Sequence, residues 1–473
     1  MAAHLGIDIG TTTITCVAFD TSRRQLVGLA SAANDTETTS PSDRQRGRSE
    51  WDLDAMLDRA LGVVSEVAGA LAGPVDGIGV TGQMHGMALV SPDGRAASPF
   101  IGWQDQRCLN EYTPGRTYVD HIAAAAAGMV VSLGCTPATG YMGATLLWLR
   151  ANGALPAGAR ACFAADSFVR RLTAGPTVTD PTNAASAGMF DVIRGGWHSD
   201  LVSALGLDGG VLPEVLSSCS QAGALCPDVA HTMELPSGTP VAVACGDNQA
   251  SFAGSVADAA SAVLVNVGTG GQVSAHTGRP VTVPGMDLRP YLDGCWLVVG
   301  AGLCGGASLA ILRDFFIDVG QSLFGVAAPK DIYDRLTMLA ADVPYDAEGL
   351  RLRPTFRGSR AAPELRAELT GLSDRNFTAR HLTRALLTGL GTEFRSQYDD
   401  MVGAGLSSRQ QLVGSGNAVR LNPVLRSSLS TAFSMPCHTP PMAEEAALGA
   451  ALTSAVAVGE YASILAASAD TLS

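Results

Sequence analysis

Short apolar runs separated by glycine-rich polar turns recur along this chain. Residues 4–9 run apolar around Asp8 into Gly10-Thr11-Thr12-Thr13, and 14–20 run apolar again, which predicts a β-hairpin closed by the GTTT turn. The polar stretch 31–49 predicts a surface loop. Across 50–71 the apolar residues fall at helical spacing, with Asp52 and Asp54 at the end where the helix dipole favours acidic groups. A short strand over 75–80 follows and ends in Thr81-Gly82-Gln83-Met84-His85-Gly86. Further on, 140–173 predicts a helix, a loop at Pro156, a strand over 161–165 and a second helix capped by Asp166. Residues 197–205 read as helical, and the proline-containing stretch 212–240 as irregular and edge structure.

Near Pro240 the pattern restarts. A strand runs into Gly246-Asp247-Asn248-Gln249, a small-residue helix follows, and a strand over 262–267 ends in Gly268-Thr269-Gly270-Gly271. The echo of a strand followed by a GT-containing turn, at 10–13 and at 268–271, is what a duplicated phosphate-clamping fold would show. It places two domains at 1–239 and 240–473. Residues 296–316 and 328–341 read as helical or mixed scaffold, and 377–402 as a long helix. A strand over 411–413 runs into Gly414-Ser415-Gly416-Asn417, with a helix over 422–433 and a small-residue helix over 444–452.

Length supports that division, because 473 residues exceed one ordinary core and suit two domains of roughly 200 to 250 residues. With 47% hydrophobic and 16% charged residues, the chain reads as globular with large cores. A net charge of −13 argues against a nucleic-acid surface, which needs a basic face. The start lacks the flank and apolar core of a signal peptide, and no run is long enough for a membrane span. The ten cysteines are scattered without CxxC pairs, so reduced thiols and a cytoplasmic location are expected.

The turns carry the chemistry. Gly10 lets backbone N–H groups approach an anion, and Thr11, Thr12 and Thr13 add hydroxyl donors. Asp8, beside that nest, suits Mg²⁺, which favours one or two carboxylates plus substrate phosphates. A plain β-turn with a capping aspartate is the alternative. Gln83 and His85 offer hydrogen bonds to hydroxyls, and Met84 offers a soft apolar wall. A buried histidine satisfied by a carbonyl is the other reading. The run 99–107 ends in Trp103-Gln104-Asp105-Gln106-Arg107, a composition suited to a polyol pocket; Asp105 and Arg107 could instead be a surface ion pair. The chain has one lysine, Lys330, and no GxxxxGK[ST], which excludes a Walker-type kinase.

DIGTTT, GQMHG, WQDQR and GDNQA, in this order and at these separations, resemble the FGGY carbohydrate kinases. The resemblance spans about residues 4–458. It implies an α/β fold of two ribonuclease-H-like, actin-like domains with an interdomain cleft that closes on a sugar and ATP. Asp247 would accept the proton of the attacking sugar hydroxyl, with Gln83, Met84, His85, Trp103, Gln104, Asp105, Asn248 and Gln249 binding the sugar. The phosphates would lie on Gly10, Thr11, Thr12, Thr13, Gly268, Thr269 and Gly270, and the adenosine on Gly414, Gly416 and Asn417. Asp8 and Asp247 would face Mg²⁺. GQMHG is shared by xylulokinases and sedoheptulokinases, whereas WQD followed by Arg107 and Cys108, with GYMGATLLWL at 140–149, is more similar to sedoheptulokinases. Gln106 departs from the usual glycine, and Ser359, before Arg360, departs from the usual glutamate. Sedoheptulose phosphorylation is therefore the expectation, with xylulose or another polyol as alternatives. From a different class, a catalytically silent sugar sensor or a nucleotide switch stays open. A homodimer is within what the sequence allows.

Overall fold

The computed structural model describes residues 3–358 and 364–473; Ser359 and Arg360 lie outside the described residues. The chain divides into two units, one of Met1–Ala257, Leu288–Leu297 and Met442–Ser473, the other of Asp258–Asp287 and Val298–Pro441. The expected boundary at 239/240 lies inside the first unit, so Asp247 belongs with the N-terminal residues. Among the described residues no helix is long and apolar enough to cross a membrane.

The first unit is built on a mixed sheet. Ala3–Ile9 and Thr13–Asp20 form the expected antiparallel hairpin, and Gln25–Ala33 continues it. On the other side Val75–Gly82 pairs parallel with Ala3–Ile9, and Pro240–Ala242 and Cys245–Gly246 pair parallel with Val75–Gly82. The three segments thus point their C-terminal ends the same way. The helix Leu53–Gly69, capped by Asp52, buries Met56, Ala60, Val64 and Val67 in the core that the sheet shares.

Against the sheet also lies Glu445–Ala457, an Ala-rich helix buried over most of its circumference. It approaches the strands at glycines. A Cβ on Gly6 would stand 1.9 Å from the carbonyl oxygen of Ala447, and one on Gly79 1.8 Å from that of Ala450. It belongs to the first unit, where glycine-bearing strands let the two backbones come that close.

The second unit repeats the plan. Ala262–Val267 and Gly271–Thr277 form an antiparallel hairpin, and Gln411–Ser415 pairs parallel with Ala262–Val267. Trp296–Leu303, which enters this unit at Val298, adds a strand beyond the hairpin, where helical or mixed structure was expected. The helix Gly305–Phe324 follows it. Helix Ala379–Gly403 is the long helix expected over 377–402, Pro423–Phe433 is the helix expected over 422–433, and a further short helix, Asn417–Leu421, precedes it.

Other local readings shift for identifiable reasons. Asp166 is not the cap of its helix. Ala164–Thr173 has Phe163, three residues earlier, at its cap position, and the Asp166 carboxylate accepts from the Phe163 N–H at 3.4 Å. The stretch 180–191 opens with the helix Pro181–Ala185, because Asp180 caps it and proline occupies its first position. Only Phe190–Asp191 is strand, pairing with Gly196–Trp197. The 31–49 region is loop apart from the end of Gln25–Ala33 and a turn of helix at Pro41–Gln45.

Candidate active site

At the C-terminal ends of three parallel strands the first unit gathers Asp8, the segment Gln83–His85 and Asp247. Register fixes this, since Asp8 and Cys245 both lie opposite Thr81, and Ile9 and Gly246 opposite Gly82. Carboxyl ends of parallel strands are where open α/β sheets place ligands, because chain direction changes there and leaves backbone groups and side chains free to face outward.

Asp247 opens the helix Asp247–Ala253. Burial raises its carboxyl to about 6, against the opposing effects of the Asn248 N–H and the Arg289 guanidinium. Burial also raises Asp8, to about 7, reinforced by the negative charges of Asp247 and Glu444. Oδ1 of Asp8 is buried without a hydrogen-bond partner. An orphaned carboxylate oxygen beside other carboxylates fits a hydrated Mg²⁺, which accepts few protein ligands and keeps its waters.

The GTTT turn is held by its own backbone and by Asn34. Gly10 N–H donates to Thr13 O, and Asn34 donates from its backbone N–H to Thr12 O and from Nδ2 to Gly10 O. Trp103 Nε1 donates to Thr11 Oγ1 at 3.1 Å, and that hydroxyl donates to Gln83 Oε1 at 3.1 Å. Trp103, 46% exposed, and Gln83 are therefore joined through the Thr11 hydroxyl. Gln104 is exposed beside them.

His85 is fixed more tightly than the sequence suggests. Its Nδ1 lies 3.0 Å from Ser186 O, a carbonyl that only accepts, so Nδ1 carries the proton. Nε2 is then an acceptor and lies 3.4 Å from Arg289 Nη2. The ring stacks on Tyr141, centroids 4.1 Å apart at 16°. Tyr141 reaches it because Gly140, with φ 76°, packs on the backbone of Trp103, where a Cβ would meet the Trp103 carbonyl at 2.0 Å. Arg289, 7% exposed, also approaches Met84 Sδ with Nη1 at 3.5 Å. Sequence reading missed Arg289 and Tyr141. Arg289 sits in no motif and Tyr141 lies in GYMGATLLWL without having been assigned a role, and both reach His85 from segments distant along the chain.

Two of the expected sugar ligands are engaged within the protein. Asp105 is 1% exposed; Oδ1 accepts from Arg107 N and Nε, at 2.8 and 2.7 Å, and Oδ2 from Ser49 N and Arg107 Nη2, at 2.9 and 2.8 Å. Arg107 also reaches Glu50. This is the ion pair the sequence left open, but buried rather than on the surface, and removing one partner of such a pair costs about 3–5 kcal/mol. Gln249 is fully buried and donates from Nε2 to Pro290 O at 3.1 Å, while Asn248 is half-buried beside Asp247.

The second unit brings its own motifs together. Gly268, Thr269 and Gly270 form an exposed turn at the end of Ala262–Val267. Gly306 N–H donates to Gly268 O at 2.8 Å and Ala307 N–H to Thr269 O at 3.0 Å, which ties the turn to the start of Gly305–Phe324. Gly414 and Gly416-Asn417 lie at the end of the neighbouring parallel strand, where Ser415 pairs with Asn266. Gly416 has φ 83°, and a Cβ there would meet Val267 O at 2.7 Å.

Two duplicated hairpin sheets, a base-like aspartate at a strand end and a glycine-rich turn in each half define a sugar-kinase architecture. Residues 3–254 match the N-terminal domain and 263–458 the C-terminal domain of the FGGY family of carbohydrate kinases, and the chain belongs to that family. It is a carbohydrate kinase of a family that uses ATP. It is 29% identical to a sedoheptulokinase of Mus musculus, over 95% of this chain and 96% of that one. To a xylulose kinase of Haemophilus influenzae it is 25% identical, over 87% and 83%. The fold matches the crystal structure of a xylulose kinase from Rhodospirillum rubrum with a TM-score of 0.82, at 24% identity, over 99% of this chain and 92% of that one.

The raised carboxyls set an expected pH profile. With Asp247 as the general base and Asp8 facing the metal, as proposed below, kcat/KM should be flat above about pH 8, fall through about pH 7 as Asp8 takes up a proton, and fall more steeply below about pH 6, where Asp247 does. An initial-rate series from pH 5 to 9 measures this. A profile flat down to pH 5 would contradict the environment described for Asp247.

Proposed function

We propose that this protein transfers the γ-phosphoryl group of ATP to a terminal hydroxyl of a ketose, with sedoheptulose, giving the 7-phosphate, as the preferred acceptor. The observation that carries the reading is the convergence of Asp8, Gln83–His85 and Asp247 at three parallel strand ends. Asp247 accepts the proton of the sugar hydroxyl as that oxygen bonds to the γ-phosphorus and the bond to the ADP oxygen breaks. Gln83, His85 and Trp103 orient the sugar, with Met84 and Tyr141 as apolar surfaces behind them. Arg289 donates toward His85 Nε2, which keeps the imidazole in place while its charge favours the ionised form of Asp247.

On the nucleotide side, Gly10–Thr13 and Gly268–Gly270 offer backbone N–H groups and hydroxyls to phosphate oxygens, and the 414–417 turn leaves room for the adenosine. Mg²⁺ held through water by Asp8 and Asp247 would neutralise phosphate charge. Small-molecule substrates account for every motif assigned here, so nucleic acid and membrane are not needed as partners, and a cytoplasmic location fits the free thiols.

Sedoheptulose is favoured over xylulose by WQDQR and by the sedoheptulokinase relatives. Incubation with Mg-ATP and a panel of ketoses and polyols, followed by ADP release, is the test. Sedoheptulose should give the highest kcat/KM; a higher value for xylulose would reassign the substrate. Absence of sugar-dependent ADP with every acceptor would leave the silent sensor as the reading.

A further inference from the structure

The short helix Pro181–Ala185 touches the site from behind, and its polar groups join both site walls. Asp180 caps it and is fully buried. Its Oδ1 accepts from Asn183 N at 2.9 Å and from Thr182 Oγ1 at 2.6 Å, and its Oδ2 accepts from Ser218 Oγ at 2.6 Å. Thr182, also fully buried, has given its one hydroxyl proton to Asp180. Its oxygen then accepts the N–H of Gly246, the residue before Asp247, at 2.8 Å. At the other end of the helix, the Ser186 hydroxyl donates to Asn183 O at 2.7 Å and accepts from His85 N at 3.1 Å.

We propose that Asp180 and Thr182 are positioning residues that fix the backbone entering Asp247, through the chain Ser218–Asp180–Thr182–Gly246. The inference rests on the kinase reading of Asp247 given above. Direction of the hydrogen bonds is the core of the argument. Above about pH 6, the value to which burial raises it, the Asp180 carboxylate is ionised and has no proton to donate, so both Thr182 and Ser218 point their hydroxyl protons at it. Thr182 Oγ1 is then left with lone pairs only toward Gly246, the polarity that a backbone N–H needs. On its opposite side the same strand is held by Thr81, whose hydroxyl donates to Cys245 O at 2.8 Å. Thr81 grips the carbonyl of Cys245 and Thr182 grips the next N–H. The peptide linking Cys245 and Gly246 is thereby held at both of its polar atoms, and the Asp247 carboxylate one residue on is aimed by a fixed backbone rather than by a mobile loop.

Proper aim matters because displacement of a catalytic group by about 1 Å can cost on the order of a hundredfold in rate. Thr182→Val keeps the shape and removes the hydroxyl. It should lower kcat by about tenfold to a hundredfold while KM for sugar and for ATP stays within about threefold, since neither contact is removed. Thr182→Ser, which restores the oxygen, should return kcat to within about twofold of wild type. A second readout needs no turnover. The Gly246 amide should lose at least about tenfold of its hydrogen-exchange protection in Thr182→Val and keep it in Thr182→Ser.

Should Thr182→Val not fold, Thr182→Ala, which also removes the hydroxyl that accepts from Gly246, carries both readouts, and the same loss of kcat and of Gly246 protection is expected. A kcat within twofold of wild type, or unchanged protection at Gly246, overturns the proposal. If the wild-type protein shows no sugar-dependent ADP release, the kinase reading fails by itself, and the exchange measurement still decides whether Thr182 holds Gly246.

Discussion

Asp247→Asn should lower kcat by about a hundredfold to ten-thousandfold, the range over which a positioned general base contributes, while ATP binding measured by calorimetry stays near wild type. Asparagine keeps the size of the side chain and its contact with the Asn248 N–H, so the loss reports proton acceptance rather than shape. A second consequence separates function from stability. Burial raises the Asp247 carboxyl above its ordinary 3.8 to about 6, so the folded state binds this proton more tightly than the unfolded chain. The corresponding stabilisation is complete below the unfolded value and disappears as pH rises through about 6. At pH 8 the enzyme therefore carries an unfavourable buried charge, and Asp247→Asn should melt a few degrees higher than wild type. Full activity in this variant would end the proposed mechanism, and a lower melting temperature at pH 8 would contradict the environment described for the carboxylate.

Gly79→Ala should destabilise the protein by more than about 3 kcal/mol, beyond the range typical of overpacked cores, because neither side of the contact is a side chain that can turn away. The added methyl would stand 1.8 Å from the carbonyl oxygen of Ala450 and 2.6 Å from its carbon. To admit it, Glu445–Ala457 must lift from the sheet, and Ala447 opposite Gly6 must move with it. Gly62→Ala is the control. That glycine lies exposed on Leu53–Gly69 with nothing within 4 Å of the added carbon, so the substitution should stabilise by about 0.5–1 kcal/mol through helix propensity. Thermal melts of the two variants measure the difference, and equal midpoints would show that the helix is not seated on the strands as described.

The seating of that helix marks a limit of sequence reading. Glu445–Ala457 is legible as a helix, but with small residues on every side its pattern has no single apolar face to say what it packs against. The complementary information sits in Gly6 and Gly79, more than 360 residues away, and has meaning only when strand and helix are adjacent. Leu53–Gly69 is the opposite case, since its apolar stripe and the acidic residues at its start are local signals, and the helix was read within a few residues of its observed ends.

The site divides along the same line. Asp8, GTTT, GQMHG and GDNQA were legible because each is a strand end followed by a turn whose residue types carry chemistry, all within a few positions. Asp105 was misassigned to the sugar, since a carboxylate in a pocket-like motif cannot be told from one already bonded to Ser49 and Arg107 until the distances are known. Arg289, Tyr141 and the Asp180–Thr182 pair escaped because their importance is a matter of which residue they face. Thr182, on the helix Pro181–Ala185, has its hydroxyl oxygen at the N–H of Gly246, 64 residues along the chain.

By itself, then, the sequence determined the duplicated hairpin plan and the family, both of which depend on order and short-range spacing. Tertiary structure alone decided which unit holds Asp247, where the closing helix sits, which polar groups are already satisfied and which face outward. Those are properties of register and of backbone approach between segments distant in sequence, and hydrogen-bond saturation is set only when such segments meet.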